Sequence, residues 1–314
     1  MADRRMSAAG MAADIWIPQQ KKAFSAWVNS RLAERSMVLP RDKDLSEVFD
    51  DGLMLIPFVE ILTGNKAQKH VAKPKMRIHK QENVQLAFNV LNSVDYHPDI
   101  HVEEILDDSE KMVLGFIWQL FLHFGSNDNA AELLAWVQER VNDKERYPNV
   151  KVTEFSKSWQ DGKAFAALLD SFSPTIFNND SVDQSEDDVV ATKARALLNS
   201  VFDAALLKLD VPKLLDAEDL AGFAPDDKAI KMYVTLLKNA WAEKEEALLA
   251  AERAEAERRA NMTKEDALAE LDAALAKLAM VKNCPQCGFN LREYLEAEAA
   301  GHDQAAAADA ADDA

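Results

Sequence analysis

The sequence predicts an all-α protein: two tandem copies of one helical domain, followed by a helical tail. Three observations carry this expectation. The same residue pattern recurs at an offset of about 110 residues, so that Trp27 is echoed by Trp136 and Gly52 by Gly162. Apolar residues in those segments follow the 3.6-residue period of an amphipathic helix, and no stretch keeps the alternation of a half-buried strand. Ala, Leu, Glu and Lys are abundant while Gly occurs only nine times in 314 residues, which leans the chain toward helix.

The echoes come in the same order in both halves. Phe24-Ser-Ala-Trp27-Val-Asn-Ser-Arg-Leu32 returns as Leu133-Leu-Ala-Trp136-Val-Gln-Glu-Arg-Val141, and Phe49-Asp-Asp-Gly52 returns as Trp159-Gln-Asp-Gly162. Ile105-Leu-Asp107 returns as Leu214-Leu-Asp216, and Lys111 opens a final apolar helix as Lys228 does in the second copy. The Asp-Gly pairs mark turns that feed a helix, and Pro40, Pro98, Pro174 and Pro212 fall in loops. The expected organisation is a disordered terminus over 1–15, a first domain over 16–126 and a second over 130–241. Gly125 to Asn129 forms a short polar linker between the two domains. A helical neck with a short coiled coil is expected over 242–283, and a knuckle with an acidic low-complexity tail over 284–314.

Charge and cysteine content exclude several classes. The net charge of −18 divides as −3 over 1–128, −6 over 129–241 and −9 over 242–314, so no nucleic-acid partner is expected. Met1 to Ile15 holds no sustained apolar stretch, so no secretory signal is expected, and the run Met112–Trp118 is too short to span a bilayer, so no membrane insertion is expected. Two cysteines three positions apart cannot form a disulfide framework, which fits a reducing, cytoplasmic setting. The chain holds no Gly-rich phosphate loop, no Gly-x-Ser-x-Gly and no His-Glu-x-x-His, so no enzyme is expected.

Duplication supplies an internal control. Aligning Lys111 on Lys228 places Lys231, Thr235 and Lys238 of the second copy opposite Leu114, Trp118 and Phe121 of the first. If the polar stripe faces water, the same scaffold exposes a Leu-Trp-Phe stripe in the first copy, which would mark a partner surface. The plainer reading is that an all-apolar helix is buried in its own core.

Several motifs carry a family resemblance. Gln20-Lys-Lys-Ala-Phe-Ser-Ala-Trp-Val-Asn-Ser30, Lys75-Met-Arg-Ile-His-Lys80 with Asn83, and Lys111-Met-Val-Leu-Gly-Phe-Ile-Trp118 resemble the first calponin-homology domain of α-actinin-type proteins. Phe155-Ser-Lys-Ser-Trp-Gln-Asp-Gly162, Leu215-Asp-Ala-Glu-Asp-Leu220 and Pro225-Asp-Asp-Lys-Ala-Ile-Lys-Met-Tyr-Val234 resemble the second. The likeness covers roughly residues 16–241 and implies a tandem module that binds filamentous actin in the cytoplasmic actin cytoskeleton. Carried over, the implied contacts are Gln20, Lys21, Lys22 and Asn29, then Leu114, Trp118, Phe121 and Leu122, and more weakly Glu132 to Arg140. Lys75, Arg77 and Lys80 in the basic loop Lys73–Lys80 are further candidates, because cations steer toward actin's acidic surface; an ordinary solvated charge run is the alternative. The resemblance also implies that the second copy can fold back on the first, with Lys228 capping Trp118 as a latch. A scaffold for adhesion proteins is the rival use of the same module.

Departures from the family pattern matter too. Asp170-Ser-Phe-Ser-Pro174 stands where a basic cluster linked to phosphoinositides is usual, which weakens the case for lipid control. The 125–129 linker is shorter than in α-actinin, which would restrict separation of the copies. Cys284-Pro-Gln-Cys287-Gly resembles half a zinc site, and Leu268, Leu271, Leu275 and Leu278 have coiled-coil spacing. Three readings stay open for Cys284 and Cys287: a zinc shared by two chains, a zinc completed by another partner, or no metal. The first would make the protein a homodimer able to crosslink filaments.

Overall fold

The computed structural model describes residues 16–179, 182, 191–222, 225–261, 269 and 273. Among the described residues there are eleven α-helices and no strand. The chain divides into one compact unit over 1–245 and a second over 246–314.

The first copy comprises α1 (Trp16–Leu32), α2 (Leu45–Phe49), α3 (Leu55–Thr63), α4 (Arg77–Asn92), α5 (Val102–Leu106) and α6 (Glu110–Phe124). Its core forms where the apolar stripes of α1, α3 and α6 meet. The fully buried Trp27 ring of α1 packs edge-on against Phe58 at 5.4 Å and Phe121 at 5.3 Å between centroids. Edge-to-face contact suits the aromatic quadrupole and adds about 0.5–1.5 kcal/mol per pair beyond area burial.

The second copy comprises α7 (Ala130–Val141), α8 (Lys163–Phe172), α9 (Ala191–Leu209), α10 (Ala217–Gly222) and the first part of α11 (Asp227–Asn261). Trp159, Phe165, Phe202 and Tyr233 form its aromatic centre, with Trp159 and Phe165 4.5 Å apart and Phe202 and Tyr233 edge-on at 5.2 Å. Asn129, the last linker residue, starts α7: its Oδ1 accepts from the amides of Ala131 and Glu132, while Glu132 Oε2 accepts from the Asn129 amide. This reciprocal capping satisfies donors that a helix start leaves unpaired. Helix α11 runs unbroken past residue 241 to Asn261.

Gly52 and Gly162 occupy equivalent turns with φ of +75° and +81°, a region that strains L-residues. A Cβ on Gly52 would also lie 2.6 Å from Cβ of Asn83. That Asn83 is fully buried and ties the 50–53 turn to the 70s loop, donating to the carbonyls of Asp51 and Val71 and accepting from the Val71 amide. The turn and the basic loop of the first copy are thus fixed by one side chain.

Asp170 has a structural role. Its buried carboxylate accepts from Tyr147 Oη at 2.6 Å, from Arg146 Nη2 at 2.8 Å and from the Asn179 amide at 3.1 Å. These donors favour the charged form and hold its carboxyl below the usual range despite the opposing cost of burial, which is the largest single influence on it.

Candidate interaction surface

Helix α6 sets the geometry. With 3.6 residues per turn, Val113, Phe116, Ile117 and Leu120 point into the first copy and are buried. Leu114 is 2% exposed and Phe121 is 1% exposed, so the expected water-facing stripe is corrected: only its middle member, Trp118, is partly exposed. Met112 at 38% and Leu122 at 45% are the large apolar groups that this helix leaves open. The open face therefore runs from exposed Met112 through the partly exposed Gly115 and Gln119 to exposed Leu122, beside the Leu114–Phe121 line, with Trp118 on the boundary between them.

The twin stripe explains the discrepancy. Thr235 is 1% exposed. Lys231 pairs with Asp227 at 2.6 Å and lies over Phe155, while Lys238 pairs with Asp128 at 2.6 Å and lies over Trp136 at 5.1 Å. Lysine stems can line apolar surface while their charged ends find partners, so a lysine does not prove that a helix face is open. In the first copy Phe121 takes the corresponding place against Trp27.

Trp118 lies in an aromatic stack. Its ring is 6.2 Å from Phe24 and 5.7 Å from Phe121, near parallel to both. Lys228 of the second copy places Nζ 5.8 Å from the Trp118 centroid, within the range of a cation–π contact.

The predicted residues of α1 are held within the chain. Gln20 is buried and donates to Asp226 Oδ2 at 3.0 Å, while its neighbour Gln19 accepts from the Asp226 amide at 2.6 Å. Lys22 Nζ sits 2.6 Å from both Asp216 and Asp219, whose carboxylates raise its pKa. Asp226 also accepts from the Ala229 amide, yet burial between the copies pushes its carboxyl up. Lys21 bridges Asp44 and Glu110 within the first copy, and Asn29 accepts from the Leu39 amide. Gln19, Gln20 and Lys22, with Lys228, thus join α1 and α6 to α10 and the start of α11. Sequence reading missed Gln19, Asp216, Asp219 and Asp226, which look like ordinary polar surface in the linear chain.

The linker is tied as well. Asn239 Nδ2 donates to the Gly125 carbonyl at 3.1 Å, close to the Lys238–Asp128 pair. In α7, Arg140 lies 4.9 Å above the half-buried Trp136, and Glu132 is exposed at the capped end.

Between Glu60 and Glu82 the chain carries six Lys and Arg and no acidic residue. Arg77 pairs with Asp107 at 2.7 Å and Lys80 with Asp50, while Lys75 is exposed beside exposed Met76 and Ile78. A polar recess beside this loop is lined by Lys21, Asp44, Asp50, Asp51, Lys80 and Glu110, whose charges pair with one another in part. No group of residues suited to a metal ion occurs among the described residues, and Cys284, Cys287 and the Leu268–Leu278 seam lie outside them. No described helix is long and apolar enough to cross a membrane.

Comparison with known proteins places this arrangement. The chain matches the calponin homology (CH) domain over residues 18–126 and again over 127–243. Chicken and human α-actinin-4 are each 37% identical to it over 247 residues, covering 76% of this chain and 26% of theirs. Human α-actinin-1 is 36% identical over 250 residues. The chain thus matches about a quarter of the length of these curated relatives. The crystal structure of the actin-crosslinking core of Schizosaccharomyces pombe fimbrin superposes with a TM-score of 0.52 at 22% identity, covering 71% of this chain and 50% of that one, a likeness of fold. The chain belongs to the calponin homology domain family, of which it carries two tandem copies.

Proposed function

We propose that the tandem module binds filamentous actin through the open face of α6, around Met112, Trp118, Gln119 and Leu122. The observation that supports this most is the match of both halves to a family whose similar members are α-actinins, together with a neighbour described as an actin-crosslinking core. The exposed apolar residues on α6 are then a docking patch and not a packing fault. Leu114 and Phe121 serve it from beneath, Phe121 by stacking under Trp118. Gln20, Lys21, Lys22 and Asn29 on α1 add polar contacts, and Lys75, Arg77 and Lys80 steer the encounter. On this reading the protein works in the actin cytoskeleton.

The test is co-sedimentation with actin filaments. Leu122→Lys alters an exposed side chain, so it folds as wild type, and it pellets less. A folded Leu122→Lys protein that pellets like wild type overturns the α6 assignment, and a wild-type chain that stays in the supernatant overturns actin binding itself.

The contacts between the copies favour a closed arrangement as a brake. Gln20 and Lys22 are occupied by Asp226, Asp216 and Asp219, and Lys228 covers Trp118, so the residues proposed for actin are engaged by the second copy. For the tail we propose a parallel dimer through the Leu268–Leu278 seam, with Cys284 and Cys287 of two chains sharing one zinc. Such a dimer would crosslink filaments. Light scattering with and without chelator decides this, since a monomer at micromolar concentration with zinc present ends it.

A further inference from the structure

Gly115 occupies the interior of α6, where glycine is the least favourable residue after proline because it loses most freedom on folding. Other glycines here have local reasons. Gly52 and Gly162 have positive φ, and a Cβ on Gly125 would strike the Phe121 ring at 2.8 Å. Gly115 has neither: its backbone is helical, and a Cβ built there meets nothing within 4 Å. The equivalent position in the second copy is Met232, which is fully buried. One copy covers this point of the scaffold with a side chain, and the other leaves it partly exposed and without one.

The bare point lies at the centre of the open face. Met112 stands one turn before it, and Gln119 and Leu122 stand one and two turns after it. Its emptiness therefore has no cause inside the described chain, although it carries a folding cost. We infer that Gly115 is where the bound actin subunit comes closest to the helix backbone, with Met112 and Leu122 gripping on either side. This rests on the actin-binding reading above and adds to it the residue that sets the fit. Without a Cβ, a partner side chain can lie on the backbone itself, with room for Cα–H contacts to a carbonyl oxygen. The four residues of this face carry no charge, so the matching actin patch is apolar at its centre.

The test uses opposite signs for folding and binding. Gly115→Ala should raise the melting temperature of the full chain by about 1–4 °C, as expected for a helix-interior replacement in a module of this size. It should also weaken actin co-sedimentation by roughly three- to tenfold, and Gly115→Leu should weaken it further, as removal of a central contact does. Asn199→Ala, on an exposed position of α9, makes a similar helix-favouring change away from the face and should leave binding unchanged. A Gly115→Ala protein that is more stable and binds like wild type overturns the inference. So does one that is less stable, because the position is then structural. Wild-type chain that fails to pellet overturns the actin reading itself, which is a separate and visible outcome.

Discussion

Neutralising Asp216 and Asp219 together, as Asp216→Asn/Asp219→Asn, should open the tandem module and tighten its grip on actin. Lys22 Nζ lies 2.6 Å from each carboxylate, but the three side chains are 48%, 55% and 30% exposed. Solvent screening therefore limits each pair to about 0.2–1 kcal/mol, or roughly 1 kcal/mol for the two. Since 1.4 kcal/mol is a factor of ten, the closed–open balance should move about fivefold. If only the open form binds, the apparent Kd improves by up to about that factor. pH is a poor lever here. The pKa of Lys22 is raised, so its contribution is complete below its unfolded value near 10.5 and is lost only as pH rises through the folded value, above the working range. Salt is the better lever, because the Debye length shrinks from about 10 Å at 0.1 M to about 3 Å at 1 M. The double variant should out-bind wild type in co-sedimentation at 0.1 M salt, lose that advantage at high salt, and show a larger radius of gyration by small-angle scattering. A second pair of neutralisations, Glu252→Gln/Glu257→Gln, controls for the change in net charge. Wild-type affinity and an unchanged scattering profile at 0.1 M salt would refute the ionic latch; an expanded profile with unchanged affinity would refute the claim that closure competes with actin for Gln20, Lys22 and Trp118.

Three further outcomes follow from the same geometry. Lys228→Glu removes a cation–π contact of about 0.5–2 kcal/mol over Trp118, so it should bind actin more tightly and melt earlier, and weaker binding by a folded protein counts against the latch. Leu114→Ala, at a 2% exposed position, should cost about 2–5 kcal/mol in denaturant titration, whereas a cost below 1 kcal/mol would show that the side chain is open after all. Asp170→Asn should cost about 1.5–3 kcal/mol at pH 7 by weakening charge-assisted bonds from Tyr147 and Arg146. Because the folded pKa of Asp170 is lowered, that stability is present above the ordinary value near 4 and is lost as pH falls through the folded value, so the difference from wild type should shrink in acid melts.

The parts of this structure legible in the sequence are those fixed by near neighbours. Trp27 and Trp136 announce equivalent helices because the 3.6-residue period is local, and Gly52 and Gly162 announce equivalent turns because positive φ selects glycine. Leu114 and Phe121 are buried where the repeat predicts exposure, and the reason is definable. Their twins Lys231 and Lys238 suggested an open face, but each twin lays its stem over an aromatic ring and sends its charge to an aspartate. The pairing of Gln19 and Gln20 with Asp226 depends on how two domains dock, and no local pattern encodes a contact between residues about 200 positions apart. In the sequence Asp170 is only a departure from the family's basic cluster; its structural role is not legible there, because its burial depends on Tyr147 and Asn179 arriving from other segments.

The duplicated scaffold also shows how the two copies act as one unit. At the position where the first copy buries Phe121 against Trp27, the second copy carries Lys238, which reaches back to Asp128 in the linker. Its neighbour Asn239 holds the carbonyl of Gly125, and Gly125 cannot carry a Cβ because the Phe121 ring lies against it. One helix of the second copy thus clasps the linker at both ends, close to the aromatic core of the first. The contacts of Lys22, Gln20 and Trp118 lie elsewhere, on α1 and the middle of α6, and two of the three are half-exposed or cation–π in character. If the copies separate as proposed, the exposed ionic and cation–π contacts would cost least to break, and the linker contacts would be the last to go. On the proposed latch, opening would be a pivot about residues 125–129 and not a release of two tethered domains. A short linker suits such a pivot, because slack between the copies would let them part without changing the direction in which the α6 face points.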